Sequence, residues 1–213
     1  LHAAFLTHGA KLNLATRLTG CEGYPTLDEA TFVDFYPLLP QQFELLIRTI
    51  SALAKMHGGV GLRSAIRCVE DILLDVRLNA TSVLEAPTGT LVTAAHLYDV
   101  LEKDIVSAAR EICLQVDGIG AMYGKGGIEH QISKVIALLQ QIDGFPSTKA
   151  NIAALLHPEI ESDSLLDAVE VAVKKLLDNV QIPLGFSKEG YLSFLSELVA
   201  QVSITSGSPM NPF

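Results

Sequence analysis

Residues 165–195 read "LLDAVEVAVKKLLDNVQIPLGFSKEGYLSFL", and how this stretch is read decides the fold. Its first half places Leu166, Val169, Val173 and Leu176 at helical spacing. Its second half has two short apolar runs separated by Ser187-Lys188-Glu189-Gly190. That pattern predicts a β-hairpin turning at 188–190. Just upstream, Ile128, Ile132, Val135, Ile136 and Leu139 form the stripe of another helix. Ser147 or Thr148 caps a short helix running through Leu156, and Ser162 or Asp163 is the expected cap of the helix quoted above. Three helices followed by a two-stranded hairpin is the order of a winged helix. Residues 127–203 are therefore expected to form a winged-helix domain, with strands only near 181–195.

Upstream of this region, "DGIGAMYGKGG" (117–127) packs five glycines into eleven residues. It reads as a flexible segment and a domain boundary. Residues 1–120 then form a helical domain of their own. A helix is expected over 92–116, with Leu97, Val100, Leu101, Ile105 and Ala108 inward. The clearest helix begins near Pro40, where Phe43, Leu46, Ile47, Ile50, Leu53 and Ala54 recur with the helical period. Gly58 and Gly59 supply its C-terminal cap. A second helix, 62–78, has the stripe Ile66, Val69, Leu73 and Val76, with Arg63, Arg67 and Glu70 on the opposite face. The two helices should pair as a hairpin. Residues 2–19 read as helix, "GCEGYPTLDEATF" (20–32) as a break, and "NATSVLEAPTGT" (79–90) as a loop. The fold class is mainly α: a helical bundle followed by a winged helix.

Composition agrees with packed helices. Of 213 residues, 49% are apolar and 18% charged, and tryptophan is absent. The net charge of −9 opposes a broad nucleic-acid footprint, so DNA affinity is expected to be weak. Cys21, Cys68 and Cys113 are widely spaced and form no CxxC, which favours free thiols in a reducing cytoplasm. No apolar run has the roughly 20 residues of a membrane span, and no secretory signal is visible. The start at Leu1 and the loose ending "SITSGSPMNPF" suggest a fragment of a longer protein.

No complete catalytic motif is present. A phosphate-binding loop needs Gly, four residues, then Gly-Lys-Ser/Thr. Five residues before Gly124 stands Ile119, and Lys125 is followed by Gly126. A dinucleotide fingerprint fails too, because Tyr123 occupies the place of its third glycine. His2, His8, His57, His96, His130 and His157 are scattered, with no HExxH and no metal-ligand spacing, so they read as surface or partly buried side chains. No GxSxG elbow marks a serine nucleophile. On the helix of 165–177, Lys174 and Lys175 stand against Asp167, Glu170 and Asp178, a poor surface for reading base edges. Arg63 remains. An arginine in the first turn after a glycine-rich loop can reach a phosphate with a two-pronged contact. It can equally pair with Glu70 or Asp71 at the surface.

"FVDFYPLLPQQFELLIRTISAL" (32–53) and "GGVGLRSAIRCVEDIL" (58–73) resemble the region after the nucleotide-binding core of very large bacterial P-loop ATPases. These are the BrxC/PglY-type proteins of phage-exclusion (BREX) defence systems. "LLQQIDGFPSTKANIAALLHPEIESDSLLDAVEVAVKKLLD" (138–178) is similar to the helix-turn-helix segment that follows there. The resemblance covers most of 20–195. It rests on Tyr36-Pro37, Pro40-Gln41-Gln42-Phe43 and Gly61-Leu62-Arg63-Ser64. It implies an AAA+-like helical lid followed by a winged helix, an antiviral role, and Arg63 as a lid arginine that senses nucleotide. ATP and magnesium are then expected for the parent ATPase and not for this chain, which lacks the P-loop and the Walker B acid. The implied partners are the remainder of that ATPase and other defence-system proteins. The alternatives from the residues alone are a non-enzymatic protein-interaction module and a weak DNA-binding module.

Overall fold

The computed structural model describes residues 1–21, 26–57, 62–74 and 83–195, with backbone only at 56, 57 and 62–65. In chain order the elements are α1 (His2–Ala15), α2 (Glu29–Phe35), α3 (Pro40–His57), α4 (Leu62–Leu74), α5 (Ala94–Tyr123), α6 (Ile128–Leu139), α7 (Lys149–Leu155), α8 (Leu166–Leu177), β1 (Leu184–Phe186) and β2 (Leu192–Phe194). The described chain is mainly helical, with one small antiparallel sheet. No described helix is long and apolar enough to cross a membrane.

Local chemistry explains most of the boundaries. Thr148 caps α7 as expected, its hydroxyl accepting the Asn151 N–H at 3.1 Å. α3 starts at Pro40, where a missing N–H does no harm. The side-chain oxygen of Gln42 accepts the Leu39 N–H there at 3.1 Å. α2 lies inside the stretch expected to be a break. Asp28 makes it possible, because its carboxylate accepts the Thr31 N–H at 2.8 Å. That backbone bond also holds the Asp28 carboxyl below its ordinary pKa. At α8 the N-cap residue is Leu165, not Ser162 or Asp163. The nearby Ser164 hydroxyl accepts the Leu166 N–H at 3.3 Å.

Three further expectations need correction. Residues 117–123 are not a flexible linker: they complete α5, and only Gly124–Gly127 turn. On α4 the buried side is set by Ile72, with Cys68, Val69 and Leu73 beside it, whereas Ile66 is 63% exposed. The apolar stripe is therefore rotated from the Ile66–Val69–Leu73 line. Val76 and the Gly58–Gly59 cap lie outside the described residues. On α3, Phe43 is at the surface and meets the ring of Phe35 edge-on at 5.8 Å, while Gln42, Leu45, Leu46, Thr49, Ile50 and Leu53 face inward.

α5 is bent at Ala109, whose φ and ψ are −146° and 58°. The bend lets the helix wrap α6. Lys134 of α6 reaches back to Asp99 in the first half of α5, while His130 packs on Gly120 in the second. α6 is the central element, and every residue from Ile132 to Leu139 is buried. One apolar cluster joins Leu45, Leu46 and Leu53 of α3, Leu97 and Leu101 of α5, Ile136 of α6 and Val173 and Leu176 of α8. A smaller one gathers Leu12, Phe32, Leu39, Leu91 and Ile160.

The hairpin pairs Leu184 with Phe194, Gly185 with Ser193 and Phe186 with Leu192. Its turn uses Gly190 at φ +82°, a conformation that favours glycine. The outer edge of β2 is not left open. Gln140 accepts the Phe194 N–H at 2.9 Å and donates to the Phe194 carbonyl at 3.2 Å. Leu192 N–H donates to the Ser147 carbonyl at 3.1 Å. Residues between α6 and α7 thus complete the sheet edge that water or another strand would otherwise occupy.

Candidate functional site

Among the described residues, three places bear on the candidate chemistry. The first is the start of α4. Arg63 is its second residue, so the backbone there is helical as expected; its side chain lies outside the described residues. Arg67, one turn later, is exposed, as are Glu70 and Asp71.

The second is the outer face of α8. Asp167, Glu170, Val171, Lys174, Lys175 and Asp178 are all exposed on this helix. The two lysines are not equivalent. Lys175 Nζ donates to Glu129 Oε1 at 2.6 Å and sits 4.5 Å from the centre of the Tyr123 ring. Burial raises the pKa of the Glu129 carboxyl, but the Lys175 hydrogen bond and charge outweigh it and leave the pKa below the ordinary value. Asn179 donates to the Tyr123 hydroxyl at 3.0 Å. Lys175 is thus held against the protein surface by a carboxylate and a ring. Val171 is 70% exposed and Val180 99% exposed, close to a shallow depression of about 500 Å³ along the helix. Phe186 on β1 is 56% exposed. This surface is mixed in charge and dotted with apolar side chains.

The third is the polar seam between α5 and α6. Lys134 Nζ lies 2.6 Å from Asp99 Oδ1, and the two side chains are 8% and 11% exposed. Such a pair holds position firmly, because removing either member leaves a charge in a low-dielectric surround. Gly126 N–H donates to His130 Nδ1 at 3.0 Å. Burial, with Lys134 and Lys125 nearby, pushes the His130 pKa down from 6.5 to about 4, against a smaller opposing effect of Asp117. Thr93 N–H donates to His96 Nδ1 at 2.9 Å at the head of α5. Tyr98 faces Cys113 across the bend, and burial first of all raises the pKa of both groups. Cys113 is thereby kept a thiol and a poor nucleophile.

The expectation of surface or partly buried histidines fails at His96, His130 and His157, which are buried, and the His57 side chain lies outside the described residues. His2 pairs with Glu29 at 2.6 Å, and His8 lies 3.6 Å from Glu161. His157 is completely buried, and burial lowers its pKa. Among the described residues no group of three His, Cys, Asp or Glu side chains is placed to hold a metal ion. Cys21, Cys68 and Cys113 are free thiols.

The structure does not bring Arg63 and the lysines of α8 into one described site. Sequence reasoning found Lys174 and Lys175 but not the capture of Lys175. It passed over Asp99 and Lys134, and set His130 aside as a surface or partly buried side chain. A signal was present in "HQISKVIALL" (130–139), where Lys134 stands at the head of the apolar run Val135–Leu139. A lysine there must find a carboxylate. Gly120, a turn before the end of a long helix, marked the place where His130 packs.

No protein-family model matches the chain, and no solved structure matches it.

Proposed function

We propose that the chain is a helical lid and winged helix belonging to a large bacterial phage-defence P-loop ATPase. In this reading it converts the nucleotide state of a core held elsewhere into movement of the rest of the protein. The observation that carries it is the element order: a helical unit in which Arg63 opens α4, then α6, α7, α8 and the β1–β2 hairpin, with Ser147 on the hairpin's edge. The motifs at Tyr36-Pro37, Pro40-Phe43 and Gly61-Ser64 support the same assignment. The chain's own residues do not fit ATP and magnesium, since it has no Gly-x4-Gly-Lys-Ser/Thr loop. Its part is therefore sensing and transmission, in the cytoplasm. The reading frame that encodes it is the direct test. A Gly-x4-Gly-Lys-Ser/Thr motif before Leu1 is expected, and a complete frame without one contradicts the proposal.

A second reading has its own observation. The capture of Lys175 by Glu129 and Tyr123 takes a cation away from the face a winged helix would turn toward DNA. What remains, Val171, Val180 and the single lysine Lys174 beside Asp167, Glu170 and Asp178, suits a protein surface better than phosphate. α8 then serves as a docking helix. DNA binding in a gel-shift titration should be weak and vanish with added salt, and salt-resistant, sequence-specific binding would overturn the docking assignment.

A further inference from the structure

We propose that His130 is an acid-operated latch at the corner between α5 and α6: neutral, it holds the Gly124–Gly127 turn closed, and protonated, it lets the turn go. His130 lies in the first turn of α6 and is 7% exposed. Its Nδ1 accepts the Gly126 N–H at 3.0 Å. An accepting nitrogen carries no hydrogen, so the ring is neutral and its proton sits on Nε2. Adding a proton would set one N–H against another and break that bond.

The ring has little room to escape. A Cβ placed at Gly120 would lie 2.9 Å from His130 Nε2, so the imidazole fills the space that a side chain on α5 would take. The charged groups that bear on it are Asp117 on α5, Lys125 in the turn and Lys134 on α6. Two cations thus oppose one anion. Burial weighs most heavily against the charged ring, and the positive charge of Lys134 comes next.

Release would be local, because Gln131 Nε2 also donates to the Gly126 carbonyl at 2.8 Å and keeps the turn tethered. It would still be felt at α8. Tyr123 and Glu129 flank the turn and hold Asn179 and Lys175.

Amide exchange of the native chain, followed at Gly126 by NMR and corrected for the intrinsic effect of pH, tests the latch. Below 6.5 the local opening constant should rise about tenfold per pH unit and level off near 4. His130→Asn offers a neutral oxygen to the same N–H and should make Gly126 protection independent of pH. The His130 ring itself, titrated by NMR, should take its proton well below 6.5. The proposal is overturned if the ring titrates at its ordinary value, if Gly126 protection is flat in the native chain, or if His130→Asn keeps the native pH dependence. Should His130→Asn fail to fold, the native ring titration and exchange profile decide.

Discussion

Two glycines on one helix show how much depends on a single missing methyl group. Gly118 and Gly120 both lie near the end of α5. Around Gly118 a Cβ would meet nothing within 4 Å, whereas at Gly120 it would press on the His130 ring from 2.9 Å. Gly118→Ala should therefore stabilise by roughly 0.5–1 kcal/mol through the unfolded chain's lost freedom. Gly120→Ala should destabilise by about 1–3 kcal/mol, since the crowding outweighs that gain. Urea unfolding of the two variants checks both signs. The sequence could not separate them. Five glycines in 117–127 carry the composition of a linker, and composition does not say whether a glycine is used for its backbone freedom or for its missing side chain. The buried histidines also set a direction with pH. His130 and His157 both have folded-state pKa values below 6.5, so the unfolded chain binds more protons as the solution is acidified. Stability is complete above 6.5 and is lost as pH falls toward 4, by about 3 kcal/mol for His130 alone. Chemical denaturation at a series of pH values should show that slope, and a stability that rises on acidification through this window would refute it.

Among the elements, α3, α6, α7, α8 and the hairpin were legible because an apolar stripe, a cap or a turn glycine announced each of them. α2 was not, because seven residues hold too little pattern to stand out beside Pro25 and two nearby glycines. α4 was legible as a helix but not in orientation. Ile66–Val69–Leu73 and Cys68–Val69–Ile72–Leu73 both satisfy the helical period, and packing in the folded chain selected the second. The bend at Ala109 has no proline or glycine to mark it. It matters because it allows α6 to be gripped from both halves of α5, with the Asp99–Lys134 pair at one end and the His130–Gly120 contact at the other. Lys134→Met keeps most of the side-chain volume and removes the charge from beside Asp99. The expected cost is about 3 kcal/mol, seen as a lower melting temperature, in line with breaking a buried ion pair from one side. A neutral result would mean that the pair contributes no more than a surface one.

At the scale of the molecule, the N-terminal helices and the α6–α8 segment are tied by more than apolar packing. Asn151 of α7 accepts the Thr19 N–H at 2.8 Å and donates to the Thr19 carbonyl at 2.9 Å. Its amide also donates to the Pro146 carbonyl at 2.9 Å. The mainly helical character and the closing hairpin could be foreseen from periodicity, whereas such long-range polar ties leave no periodic trace. The proposed work of the whole is to convert nucleotide state into movement of the rest of the protein, and Arg63 is where that signal would enter. Steady-state ATP turnover of the proposed parent ATPase carrying Arg63→Ala tests this most directly, with Arg67→Ala as the control one turn along the same helix. The account predicts a fall in turnover of about tenfold or more for Arg63→Ala, because an arginine that contacts phosphate in the transition state contributes at least that much. It predicts near-native turnover for Arg67→Ala and an unchanged melting temperature for both. Native turnover for Arg63→Ala would contradict it.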